Sequence, residues 1–151
     1  MARTHILIAI LSVMLVSLAA CETPEQAQER GLQIMARYLE IPSTADDIQA
    51  HYFQQGQWRS AYLKFSLPDS QLKQFLDINC FGQMKPYNSG RYTDFNITTV
   101  YRGTPEWWIT QRTNLILEGS CTQNRGTYVG NLGIGIIQAE SVFTVYVNTF
   151  M

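Results

Sequence analysis

The stretch from Ile48 to Leu67 constrains the fold more than any other part of the chain. Ala61, Leu63, Phe65 and Leu67 alternate with Ser60, Tyr62, Lys64 and Ser66. Successive side chains of a strand point to opposite faces, so this period of two places the four apolar residues together. Upstream, Ile48, Ala50 and Tyr52 alternate with polar neighbours, and Gln55-Gly56 between the two runs marks a turn. A β-hairpin with one buried face satisfies both runs, and that face requires a second layer to cover it.

Helical segments flank the hairpin and supply the layer. From Pro24 to Glu40, Leu32, Met35 and Leu39 recur at spacings of three and four, with Pro24 suited to a first turn. Ile41-Pro42-Ser43 stops this helix, because the residue before a proline is pushed to extended geometry. After the hairpin, Pro68-Asp69 opens a second helix with Asp69 as N-cap; Leu72, Phe75 and Leu76 form its buried stripe, ending near Asn79 and Cys80. From Leu115 onward the chain is β-like, with strands expected over Leu115 to Leu117, Thr127 to Gln138 and Ser141 to Phe150, the last turn being Ala139-Glu140-Ser141. The expected fold is a single α+β domain over residues 32–151, a mostly antiparallel sheet packed against one or two helices. Its expected core includes Leu32, Met35, Leu39, Leu63, Phe65, Leu72, Phe75, Leu76, Val145 and Val147.

Residues 81 to 106 have no sustained period and contain Gly82, Pro86, Asn88, Gly90, Gly103 and Pro105, which reads as loop with a short strand over Asn96 to Tyr101. This loop and its border concentrate aromatic and basic side chains: Tyr87, Arg91, Tyr92, Tyr101, Arg102, Trp107 and Trp108. Tyr, Trp and Arg bury large rigid area and keep polar handles, as at protein interfaces and saccharide sites, so the set is a candidate binding surface. The alternative is that the tryptophans complete the core and lie over the flat surface left by Gly126, Gly130, Gly133 and Gly135. Those glycines lack the order and following helix of a phosphate cradle.

The first residues are of a different kind. Ile6 to Ala20 is apolar apart from Ser12 and Ser17, follows a start containing Arg3, and falls short of the roughly 20 residues of a bilayer span. It reads as a signal peptide over residues 1–20. At its end, Leu18-Ala19-Ala20-Cys21 resembles the lipobox of bacterial lipoproteins, in which the cysteine is diacylated and becomes the first residue after cleavage. The resemblance covers residues 1–21 and implies a lipid anchor on Cys21 in the cell envelope. It further implies, from Glu22 in the place where Asp favours inner-membrane retention, an outer-membrane site facing the periplasm. Residues 21–31, with Glu25, Gln26, Gln28, Glu29 and Arg30, then read as the lipidated cysteine and a short stalk. Two or three acyl chains, at about 0.8 kcal/mol per buried methylene, make a stable anchor.

Removing residues 1–20 leaves 131 residues with 10 Lys+Arg, after loss of Arg3, against 12 Asp+Glu, a net charge of −2. A near-neutral chain gives no electrostatic case for nucleic acid. The mature chain keeps Cys80 and Cys121, an even pair in an oxidising compartment, which predicts a structural disulfide; no CxxC redox motif occurs.

Candidate chemistry is sparse. His51 is the single histidine of the mature chain and stands in an expected strand, so catalysis through it needs partners that the sequence does not supply. One histidine and two paired cysteines do not make a metal site, and no cofactor is expected. Ser70-Gln71-Leu72-Lys73 has the S-x-x-K spacing of penicillin-binding enzymes, but no K-T-G follows and the chain is too short for that fold. The expected function is a non-catalytic binding or scaffolding lipoprotein that contacts an envelope protein or a cell-wall glycan. Two alternatives are a small cell-wall hydrolase using His51 or Glu106 as acid or base, and a structural surface protein with no discrete ligand.

Overall fold

The computed structural model describes residues 22–82, 97, 100, 103–109 and 115–151, so the signal segment and Cys21 lie outside the described residues. Helix α1 (Pro24–Tyr38) is followed by strands β1 (Asp46–Gln55) and β2 (Trp58–Pro68), helix α2 (Asp69–Ile78), and strands β3 (Leu115–Arg125), β4 (Tyr128–Ala139) and β5 (Val142–Phe150). The five strands form one antiparallel sheet in the order β1-β2-β5-β4-β3, an α+β fold.

Three two-residue loops set the strand registers. They join the pairs Gln55–Trp58, Arg125–Tyr128 and Ala139–Val142. The first residue of each, Gly56, Gly126 and Glu140, has positive φ, as turns matched to the twist of a hairpin require. The first two loops lie at one end of the sheet and the third at the other. The hairpin end of β1–β2 and of β3–β4 is thus shared with the end of β5, where Phe150 pairs with Ser60.

One face of the sheet carries the expected alternation and is covered by both helices. Leu63, Phe65, Leu67, Val145, Val147, Leu132, Ile134 and Ile136 are sealed from solvent together with Met35 and Phe75 of the helices. Leu32, Leu72 and Leu76 are partly buried at the margin of this core. Phe75 stands edge-on to Phe65 at 5.2 Å, a favoured aromatic geometry.

Helix α1 starts with a capping box, in which the Thr23 hydroxyl accepts from Gln26 N–H and Thr23 N–H donates to the Gln26 side chain. It packs on the sheet from its second turn, since Ala27 and Gly31 are buried. This replaces the expected stalk: a Cβ at Gly31 would stand 2.8 Å from the backbone nitrogen of His51, so glycine lets the helix lie directly against β1. Helix α2 has Pro68 rather than Asp69 at its N-cap, with no side-chain capping bond; instead Asp69 N–H donates to the Ser141 carbonyl at 3.2 Å. At its other end buried Asn79 accepts from Glu40 N–H (3.0 Å) and donates to the carbonyls of Glu40 (3.2 Å) and Phe75 (2.9 Å), joining the two helix ends. Cys80 and Cys121 form the expected disulfide, which ties the end of α2 to β3 across 41 residues of sequence.

Candidate functional site

The second face of the sheet bears Tyr62, Tyr146, Glu118 and Gly135 and is covered, among the described residues, by Ile97, Trp107, Trp108 and Ile109. Tyr62, Ile97, Trp108, Ile109, Leu115 and Tyr146 form a separate apolar cluster there. Its centre is Ile97, held by both backbone groups: its N–H donates to Glu118 Oε1 and its carbonyl accepts from Trp108 Nε1, each at 2.9 Å. Ile97 sits over Gly135, where a Cβ would come within 2.8 Å of its side chain. Trp108 stands edge-on to Tyr62 at 4.9 Å and to Tyr146 at 5.6 Å. Burial in this cluster pushes the Tyr146 phenol above its ordinary pKa.

Trp108 is 4% exposed, so it holds the loop from beneath and does not offer its ring to a partner. Trp107, half-buried, packs against the rim of the same cluster. Of the four glycines expected to leave a flat surface for the tryptophans, Gly135 is covered by Ile97, to which Trp108 is bonded, Gly130 lies under the Tyr38 ring on the helix face, and Gly126 stands open in the β3–β4 turn. Tyr87, Arg91, Tyr92, Tyr101 and Arg102 lie outside the described residues, as does most of the strand expected over Asn96 to Tyr101, of which Ile97 occupies a turn.

The catalytic candidates are not brought together. His51 is half-buried on β1 with its ring 6.4 Å from that of Tyr62, and forms no hydrogen bond to a carboxylate or hydroxyl among the described residues. Burial holds its pKa below the ordinary value, against the opposing charge of Glu22. Glu106 is exposed on the loop. Lys73 pairs with Asp77 one turn along, not with Ser70, on the solvated side of α2. No group of three or more metal-ligating side chains occurs among the described residues.

A cavity lies at the hairpin end of the sheet. It has a volume of about 750 Å³ and its walls, mostly carbon, include Phe53, Trp58, Arg59, Ser60, Phe150 and Met151. Register explains the grouping: Phe53 pairs with Ser60 and Ser60 with Phe150, so three adjacent strands present these residues at one level. Trp58 stands at the mouth and is 73% exposed. Neither His51 nor Glu106 lines this cavity.

Trp58 belongs to no apolar period and so is not marked by spacing alone. The signal was present: Trp58 shares its side of β2 with Ser60, Tyr62, Lys64 and Ser66, an unexpected place for a large aromatic beside a tight turn. Comparison with family models, with curated proteins and with solved structures finds no match to this chain.

Proposed function

We propose that the chain is a lipid-anchored protein of the cell envelope, exported by residues 1–20 and acylated at Cys21, whose domain is a non-catalytic binding module. The observation that supports binding is the cavity of about 750 Å³ at the hairpin end, with apolar walls and the exposed Trp58 at its mouth. Pockets of this size, largely apolar with a few polar groups, suit a ligand that buries apolar surface. Covering Trp58 alone contributes on the order of 2–3 kcal/mol. A glycan, whose hydroxyls need hydrogen-bonding partners, is served poorly by such walls. An apolar group presented by an envelope partner fits them.

Two experiments test the two halves of this proposal. Metabolic labelling with an alkyne-bearing fatty acid is expected to mark the wild type and leave Cys21→Ser unlabelled; a labelled variant overturns the anchor. For the binding site, Trp58 is replaced by the photo-crosslinking residue benzoylphenylalanine in the full chain and irradiated in living cells. A covalent adduct at position 58, with protein or with lipid, is the expected result. Irradiation that yields no adduct overturns the binding reading.

A further inference from the structure

Resting on the proposal of a binding cavity and a lipid on Cys21, we infer that the hairpin end of the sheet is a membrane-docking surface, whose partner is an anionic bilayer.

Exposed apolar side chains gather at this end. Trp58 (73%), Tyr128 (44%), Val129 (66%), Phe150 (44%) and Met151 (44%) are exposed there. They come from both hairpin tips and from the end of β5, which the strand registers bring to one end of the sheet. An aromatic side chain at a hairpin tip suits the headgroup region, where one part of the ring meets hydrocarbon and the other meets water.

Charge separates the two ends in the same sense. At the hairpin end stand Arg59 in the cavity wall, Arg37 with its guanidinium 5.5 Å over the Tyr128 ring, and Arg125. Two carboxylates near this end among the described residues are each held by an arginine, Glu40 by Arg125 at 3.1 Å and Glu22 by Arg30 at 3.3 Å. At the opposite end lie Asp46 and Asp47 at the start of β1, Asp69 at the start of α2, and Glu140 in the β4–β5 turn. An anionic surface therefore attracts the first end and repels the second.

The start of the described chain is placed to match. Glu22 follows the cysteine proposed to carry the lipid. Its carboxylate meets Arg30 at 3.3 Å, and Arg30 lies 5.2 Å over the Tyr52 ring. Tyr52 is three residues along β1 from the terminal pair Gln55–Trp58, about 10 Å at the rise of a strand. An anchor attached there holds the β1–β2 tip within reach of the headgroups, with the cavity beside Trp58 turned toward the upper part of the acyl chains. Net attraction by arginines and insertion of Trp58 then orient the domain, which a lipid on a free stalk would leave undirected.

The test uses the full lipidated protein reconstituted in vesicles of phosphatidylcholine, or of phosphatidylcholine and phosphatidylglycerol in equal parts, each with and without dibrominated acyl chains. The difference in fluorescence between wild type and Trp58→Phe isolates the Trp58 signal. The expected result is severalfold stronger quenching of Trp58 by brominated chains in the phosphatidylglycerol vesicles, with protection from aqueous iodide. The double variant Arg37→Gln, Arg59→Gln is expected to lose most of that difference between compositions. Trp58 that stays open to iodide and unquenched by brominated lipid in both vesicles overturns membrane docking. A protein adduct in the crosslinking experiment together with that result leaves the binding cavity standing and assigns it to a protein segment. Quenching that is equal in the two compositions overturns the anionic preference.

Discussion

The two faces of the sheet are built by different means. On the helix face, apolar side chains of period two meet amphipathic helices, and the buried polar groups are partnered: Asn79 bonds to both helix ends and the Thr149 hydroxyl donates to the Asn131 carbonyl at 3.0 Å. On the loop face, coverage depends on Ile97, held between Glu118 and Trp108. Buried polar atoms there are less well served, since Asn148 Oδ1 and Gln49 Oε1 have no hydrogen-bond partner among the described residues. A buried oxygen without a donor costs about 1–3 kcal/mol. The helix face is thus stable by redundancy, and the loop face depends on a few bonds.

Variants on the two faces separate these regimes. The largest effect is expected for Phe65→Ala, which removes a fully buried ring and its edge-on contact with Phe75. Urea denaturation should show a loss of about 4–5 kcal/mol in one cooperative step. Replacing Cys80 and Cys121 with alanine opens a link spanning 41 residues and is expected to cost roughly 3–4 kcal/mol. A loss no larger than that of an exposed substitution would show that the helix face holds α2 without it.

Trp108→Phe keeps a ring against Tyr62 and Tyr146 but removes the N–H that bonds the Ile97 carbonyl. The expected cost is about 1–2 kcal/mol, with hydrogen exchange accelerated at the Ile97 amide and unchanged at Leu63. Equal acceleration at both sites would mean that the two faces unfold together. Glu140→Gly should stabilise by about 1 kcal/mol, because Glu140 holds φ 56°, a region that costs a non-glycine residue. A thermal melt reads this gain.

The smallest effect concerns pH. His51 has a folded pKa below its ordinary 6.5 because burial disfavours its charged form. Below about pH 6.5 the unfolded chain therefore binds a proton that the folded chain resists, and stability falls as pH drops into that window. Urea midpoints taken on either side of it should differ less for His51→Gln than for the wild type.

The helix face was legible in the sequence because its residues obey simple periods. Ala61 to Leu67 and the Leu72-Phe75-Leu76 stripe lie where spacing places them. Strand β3 is legible only over Leu115 to Leu117, since Gly119, Ser120, Thr122 and Asn124 break the apolar alternation on an edge strand. Gly31 looked like part of a polar stalk because its function is to be absent: only the neighbouring strand reveals why no side chain fits. The loop face was legible as a cluster of aromatics, yet not as core, because Ile97, Trp108 and Glu118 are brought together over 21 residues without any repeating spacing.

The α+β class, the two helices, the β1–β2 hairpin and the cysteines available for pairing are all readable along the chain, because each follows from local geometry or counting. The pairing of β2 with β5, which aligns both hairpin tips and Phe150 at one end, emerges only in the packed fold. That pairing joins segments some eighty residues apart in the sequence. Local propensity contains no information about such a contact; it forms because it buries the apolar face of both segments at once.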